Sequence, residues 1–372
     1  MTFTTETDAA AAPAPRDHVK DLPLYTSATV GAVPIVFRAS SNESPFSPSD
    51  AVTEAVSAAI AGGNRYPALH GETLVVALAE HMGVDASTVA VGDGSLSLLN
   101  HLLLAYVRPD HDVVHAWRSY EAYPISIGAV GARSVGITNL ANHQHDLVSI
   151  ANAVGDDTDA VILCSPNNPT GAVLSAKNLV DFLDRVPSRV IVVLDEAYRE
   201  FVDPSSPGSF DAVPLLRQYP NLVLLRTFSK VYSLAGFRAG YMIASPEIVA
   251  ATRAVMTPFP VSSPAVAAAI ASLEEHTYRA EIIEKVTTSR EEVATALRVL
   301  GLPVASAHGN FIWLPVGAQA EELANLCAAS GIAVRCFTGE GVRVSVGQSG
   351  LARALSTALA GFVYTPPGTP QT

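Results

Sequence analysis

The chain has 372 residues, 49% hydrophobic and 16% charged, with a formal net charge of −12. That length and apolar content suit one large domain or two moderate ones and exclude a disordered chain, while the acidic balance without a basic stripe argues against nucleic acid. No apolar run approaches membrane-spanning length, and three scattered cysteines, Cys164, Cys327 and Cys336, make neither a disulfide framework nor a zinc site, so a reducing cytoplasm fits best.

Residues 1–17 are rich in Ala, Pro and Thr, lack the basic start and apolar core of a signal peptide, and read as a disordered tail. Residues 18–48 form a proline-punctuated arm without clear periodicity. A helix is predicted over 49–61, capped by Ser49 or Asp50 and stopped by Gly62-Gly63. A second, over 71–82, follows the turn Asn64-Arg65-Tyr66-Pro67. From Thr88 to Ile243 short apolar runs alternate with helical patterns. The strand-like runs are Thr88–Val91, Asp112–Ala116, Ser134–Ile137, Ala160–Cys164, Val190–Leu194, Leu222–Leu225 and Gly240–Ile243. Between them Leu147, Ile150, Ala151 and Val154 share one helical face, as do Leu179, Leu183 and Val186 after a Ser175 cap. The alternation predicts an α/β fold, a mainly parallel sheet with helices on both faces, in a large domain over 49–245. After Ser245 the pattern turns helical to residue 300. A strand at Phe311–Leu314, a helix at 319–330, strands at Ile332–Cys336 and Val342–Val346, and a helix over 350–363 follow. These predict a smaller α+β domain over 246–365, completed by part of 18–48, and a loose tail at 366–372.

The polar groups fall unevenly on this frame. Gly92-Asp93-Gly94-Ser95, Trp117 to Tyr120, Ser165 to Gly171, Asp195 to Tyr198 and Lys230 each follow a predicted strand. In an open α/β sheet the carboxyl edge is where ligands bind. The Gly94-Ser95 turn before a helix offers backbone N–H groups to a phosphate, and Thr227 and Arg238 could complete that cradle. Asp195, straight after the apolar run VIVVL, is costly unless it meets a cation, such as a protonated ring nitrogen. Alone it reads equally as a helix cap or half of a buried ion pair. Asn168 and Tyr198 could donate to a ring oxygen, and Tyr120 could stack on a ring face. Taken singly, Asn168 is also good turn chemistry and Tyr120 ordinary core packing. A lysine able to form a Schiff base, an acid for a ring nitrogen and a phosphate cradle together point to pyridoxal phosphate. Lys230 would then carry a proton from the substrate Cα, the half-reaction of transamination.

The motifs SPNNPTG, DEAY and TFSK, and the eight-residue step from Lys230 to Arg238, resemble those of the fold-type I pyridoxal phosphate aminotransferases. The resemblance runs from about Tyr25 to Phe362. It lies in the histidinol-phosphate aminotransferase branch, and AWRSYEAYP at 116–124 looks most like the actinobacterial aromatic amino acid aminotransferases. It implies that Lys230 bonds the coenzyme, that Asp195 pairs with its ring nitrogen, and that Asn168 and Tyr198 hold its hydroxyl. It further implies that Tyr120 stacks on the ring, while Gly94, Ser95, Leu96, Thr227 and Arg238 hold the phosphate. Tyr66 would reach the coenzyme phosphate of a second subunit, making the enzyme a homodimer. Arg343 would clamp the substrate carboxylate, Arg335 would stand near the substrate's distal end, and Tyr25 and Asn42 would line the entrance. No metal is implied.

Two departures bear on substrate. The branch commonly has an acidic pair after its GxGS turn, where Leu96-Ser97 stands here, and Pro-Gly after its N-terminal tyrosine, where Thr26-Ser27 stands. Both weaken a histidinol-phosphate reading and leave the coenzyme chemistry untouched. The expected activity is transfer of the amino group from an aromatic amino acid to 2-oxoglutarate by a ping-pong route. The alternatives are histidinol-phosphate aminotransferase, a pyridoxal phosphate-dependent decarboxylase, and a coenzyme-binding regulator without turnover.

Overall fold

The structure, a computed structural model, describes residues 13–24 and 33–366. Residues 1–12, 25–32 (with Tyr25 and the Thr26-Ser27 departure) and 367–372 lie outside the described residues. Asp17 opens a single helical turn, α1 (Asp17–Lys20), and Leu22 just after it packs on Gly128, where a Cβ would meet it at 2.6 Å.

The expected arm holds a short strand that its sequence does not announce, β1 (Phe37–Ala39). Two helices follow, α2 (Asp50–Ile60), capped by the Ser49 hydroxyl, and α3 (Glu72–Met82). Then come β2 (Val89–Gly92), α4 (Ser95–Tyr106), β3 (Asp112–Trp117), α5 (Ala122–Ala129), β4 (Arg133–Thr138) and α6 (Leu147–Asn152). The series continues with β5 (Thr158–Cys164), α7 (Ala176–Leu183), β6 (Ile191–Asp195), β7 (Leu222–Thr227) and β8 (Gly240–Ile243). Every strand expected in this stretch is present within two residues of its predicted ends.

These seven strands form one sheet in the order β2-β8-β7-β6-β5-β3-β4. All run the same way except β8, which is antiparallel to both neighbours. The apolar runs are continuous because both faces are covered. On β6, Val192 and Leu194 join one hydrophobic layer and Ile191 and Val193 the other, the period-two split of a strand. One layer includes Leu74, Leu78, Leu179 and Phe182 of α3 and α7; the other includes Leu98, Leu102 and Ile127 of α4 and α5.

Three helices lead away, α8 (Pro246–Val255), α9 (Ser263–Glu274) and the 24-residue α10 (His276–Val299). Ser245 and Ser262 cap the first two, each with proline in the first turn. The remainder is β9 (Phe311–Leu314), α11 (Ala320–Ala329), β10 (Ile332–Phe337), β11 (Gly341–Ser345) and α12 (Leu351–Ala358). The last helix is shorter than predicted. A second sheet runs β1-β10-β11-β9, with β1 parallel to β10 and the rest antiparallel. Its register sets Arg335 of β10 directly opposite Arg343 of β11. Among the described residues no helix is long and apolar enough to cross a membrane.

Candidate active site

A cavity of about 330 Å³ opens where the carboxyl edge of the large sheet meets the small one. β2 delivers the Gly94 turn to it. Gly94 has φ +103°, and a Cβ there would lie 2.6 Å from the Arg238 guanidinium. Gly240, paired with Gly92, leaves no room either: a Cβ would meet the Ser95 nitrogen at 2.4 Å. These two glycines let Arg238, β8 and the first turn of α4 close on one point. Unlike α2, α7, α8 and α9, α4 has no side-chain cap, so its first N–H groups stay available beside the cavity. Ser95, Leu96, Thr227, Ser229 and Arg238 all line this end. The Thr227 hydroxyl donates to Ser229 Oγ at 2.9 Å and accepts from the Ser229 N–H at 3.1 Å.

At the other end β6 delivers Asp195. Its Oδ2 accepts from the Tyr123 hydroxyl at 2.8 Å and its Oδ1 from the Ala197 N–H at 3.1 Å. Burial pushes its carboxyl above the usual range, against the pull of Tyr123. Among the described residues no cation lies within ion-pair distance of it. Tyr198 crosses the cavity wall, and its hydroxyl accepts from Asn42 Nδ2 at 3.0 Å. Burial raises that phenol too.

Lys230 lies between the two ends. Its Nζ donates to the Asn42 carbonyl at 3.1 Å and sits 5.5 Å from the Tyr198 ring centroid. Burial first, then Arg343, bring its amine down to about 8, with Glu43 and Asp195 opposing. Near neutral pH far more of this amine is neutral than of an ordinary exposed lysine. The site therefore holds a usable nucleophile and base. Arg343 enters from β11; it donates to Asn168 Oδ1 at 2.6 Å and to the Ser40 carbonyl.

The cavity thus gathers eleven of the expected site residues: Asn42, Ser95, Leu96, Tyr120, Asn168 and Asp195, with Tyr198, Thr227, Lys230, Arg238 and Arg343. Arg335 is not among the residues lining the cavity, and its guanidinium donates to Glu121 at 2.8 and 3.1 Å. Asn42 lines the cavity. It is buried, at φ +52°, with its side-chain carbonyl on Ser345 Oγ and its main-chain carbonyl under Lys230. Tyr66 is 81% exposed and stacks on Phe259 of its own chain at 4.5 Å. Tyr25 lies outside the described residues. Tyr123 and Cys164, which touch or flank Asp195, were missed. Each sits inside an apolar stretch that reads as core, and only spatial pairing with Asp195 distinguishes them.

The chain matches the family model "Aminotransferase class I and II" over residues 34–358. It is 43% identical, over 90% of its length and 93% of the relative's, to an aromatic amino acid aminotransferase of Streptomyces coelicolor. It is 46% identical to an aromatic amino acid aminotransferase of Thermobifida fusca, covering 83% of this chain and 85% of that one. Among solved structures, a histidinol-phosphate aminotransferase of Sinorhizobium meliloti in complex with pyridoxal-5′-phosphate superposes with a TM-score of 0.83. It is 29% identical and covers 88% of this chain and 90% of that one.

Proposed function

The chain belongs to the class I and II aminotransferases, pyridoxal 5′-phosphate enzymes acting on an amino acid and a 2-oxo acid, and we propose that it moves the amino group of phenylalanine, tyrosine or tryptophan to 2-oxoglutarate. The residues present fit the coenzyme. A buried carboxylate with no cation at ion-pair distance among the described residues suits a protonated ring nitrogen. Two glycines whose Cβ positions are already taken shape a cradle for a phosphate at an uncapped helix start.

When bound, the coenzyme supplies an electron-withdrawing ring conjugated to the substrate nitrogen. In this reading Asp195 holds the proton on the ring nitrogen, and Tyr123 and the Ala197 N–H hold Asp195 in place. Ser95, Leu96, Thr227, Ser229 and Arg238 bind the phosphate. Asn168 and Tyr198 position the ring from its hydroxyl side, and Tyr120 covers one face. Arg343 takes the substrate carboxylate, exchanging its Asn168 and Ser40 partners in part for a bidentate pair. Lys230, its amine held down by burial and by Arg343, would take up the proton from the substrate Cα. Tyr66 is assigned to a second copy's phosphate, which makes the working unit a homodimer. The cytoplasm is the proposed location, in keeping with three free thiols.

The observation that carries this reading is the convergence of Lys230, Asp195 and Arg343 on one cavity with the lysine amine lowered to about 8. Aromatic specificity is supported by the named relatives and by Leu96-Ser97 at the cradle. Borohydride reduction of the coenzyme-loaded protein followed by peptide mapping should label Lys230. Lys230→Ala should keep coenzyme in the site yet lose transamination by several orders of magnitude. A donor panel with 2-oxoglutarate should rank phenylalanine and tyrosine far above histidinol phosphate in kcat/KM; the reverse order would replace this assignment with the histidinol-phosphate one.

A further inference from the structure

The segment from Trp117 to Glu121, which carries Tyr120, is gripped from two sides. From the large sheet, Asn167 Nδ2 donates to the Arg118 carbonyl at 3.0 Å, Ser119 donates to Asn167 Oδ1 at 2.6 Å, and Asn139 Nδ2 also reaches Arg118 O at 2.8 Å. From the small sheet, two acid–arginine pairs of opposite polarity meet it. Arg118 forms a two-point pair with Glu340, one arm at 2.8 Å, and Glu121 forms one with Arg335 at 2.8 and 3.1 Å. Glu340 lies in the turn between β10 and β11, Arg335 on β10, and Arg343 on β11 opposite Arg335. The Arg118 guanidinium also lies over the Trp117 ring, 4.0 Å from its centroid, and 5.2 Å from the Phe337 ring centroid. The hairpin that presents Arg343 is therefore bolted at two points to the segment that presents Tyr120.

We propose that Arg118, Glu121, Arg335 and Glu340 are positioning residues that yoke Tyr120 to Arg343, fixing the gap between the ring-covering tyrosine and the carboxylate-binding arginine. This rests on the functional reading above, in which those two residues face coenzyme and substrate. Two-point arginine–carboxylate pairs set orientation as well as distance, which single contacts between flexible side chains do not. Opposite polarity matters as well: neither pair can slip to the other's partner without placing like charges together. The yoke acts on a gap measured by substrate, so its loss should weaken substrate binding more than the chemical step, and should leave coenzyme affinity alone.

The chain's two tryptophans, Trp117 and Trp313, both stand at this junction, the second edge-on to Phe337 at 5.4 Å. Emission therefore reports the yoke without reference to activity. In the full-length coenzyme-loaded enzyme, Glu121→Gln breaks the pair that does not touch Trp117. It should nevertheless raise acrylamide quenching and shift emission to the red, because the hairpin loosens as a unit. Glu340→Gln should do the same. In both variants KM for the amino donor and for the 2-oxo acid should rise about tenfold with kcat changed less than about threefold and coenzyme Kd unchanged. The exchanged pair Arg118→Glu/Glu340→Arg should recover KM. Unchanged emission in Glu121→Gln, or a fall in thermal stability with KM unaltered, would overturn the yoke. If the wild-type enzyme used no amino donor the functional reading would fall instead, and the emission comparison would still decide whether the two segments are coupled.

Discussion

Asp195 and His145 show how single buried groups set what the protein tolerates. Tyr123 supplies one of two hydrogen bonds to the Asp195 carboxylate and is itself fully buried. Tyr123→Phe leaves that oxygen one donor short, at a cost of about 1–3 kcal/mol, readable as a lower urea midpoint in the coenzyme-free protein. His145 is buried with neither ring nitrogen in a hydrogen bond among the described residues, and burial holds it down to about 4. The unfolded chain takes up that proton near pH 6.5, whereas the folded one refuses it. Stability from this group is therefore present above 6.5 and drains as pH falls towards 4, by about 3 kcal/mol in full. Urea unfolding between pH 7 and 4.5 should be steeper in wild type than in His145→Leu; equal slopes would remove His145 from the account. At this scale the cavity was legible where chemistry and position coincide, as for Lys230 after β7 and Asp195 at the end of β6. It was illegible where a side chain gains meaning only from a distant partner. Tyr123 sits inside an apolar stretch that reads as core, and nothing in the sequence pairs Arg335 with Glu121.

Strand β8 shows what an element adds. It is the one reversed strand of the large sheet, and it brings Gly240 against the Gly94-Ser95 turn. Gly240→Ala would drive a methyl group into the Ser95 nitrogen and the Gly94 carbonyl carbon, both backbone. The turn must then move, and coenzyme Kd should rise by tenfold or more while the rest of the sheet folds; fluorescence titration of the variant with pyridoxal 5′-phosphate would measure it. An apolar run of four residues carries no mark of its direction, so this reversal could not be read in the sequence. Two crossing helices, by contrast, announced the parallel strands: α6 and α7 show apolar faces, and Ser175 caps α7. β1 escaped for another reason. Three residues paired along one side only, with an exposed arginine at the centre, leave too short a pattern to register a period.

The whole molecule is the scale at which the proposed role of Tyr66 can be judged. A phenol ring 81% exposed on its own chain is available to a second copy. Mixing Lys230→Ala with Tyr66→Ala subunits offers a direct check. If Tyr66 serves the partner's site, each hybrid dimer contains one site with both residues native, and activity should return in the mixture although neither parent has it. No recovery would confine Tyr66 to its own subunit. The separation of the site's parts along the chain has a further consequence. Asn42 closes on Ser345, 303 positions later, and its carbonyl receives the Lys230 amine. A ribosome must therefore release almost the entire polypeptide before this pocket has its floor. Vitamin B6 uptake should accordingly follow synthesis, and stalled nascent chains ending short of β11 should retain none.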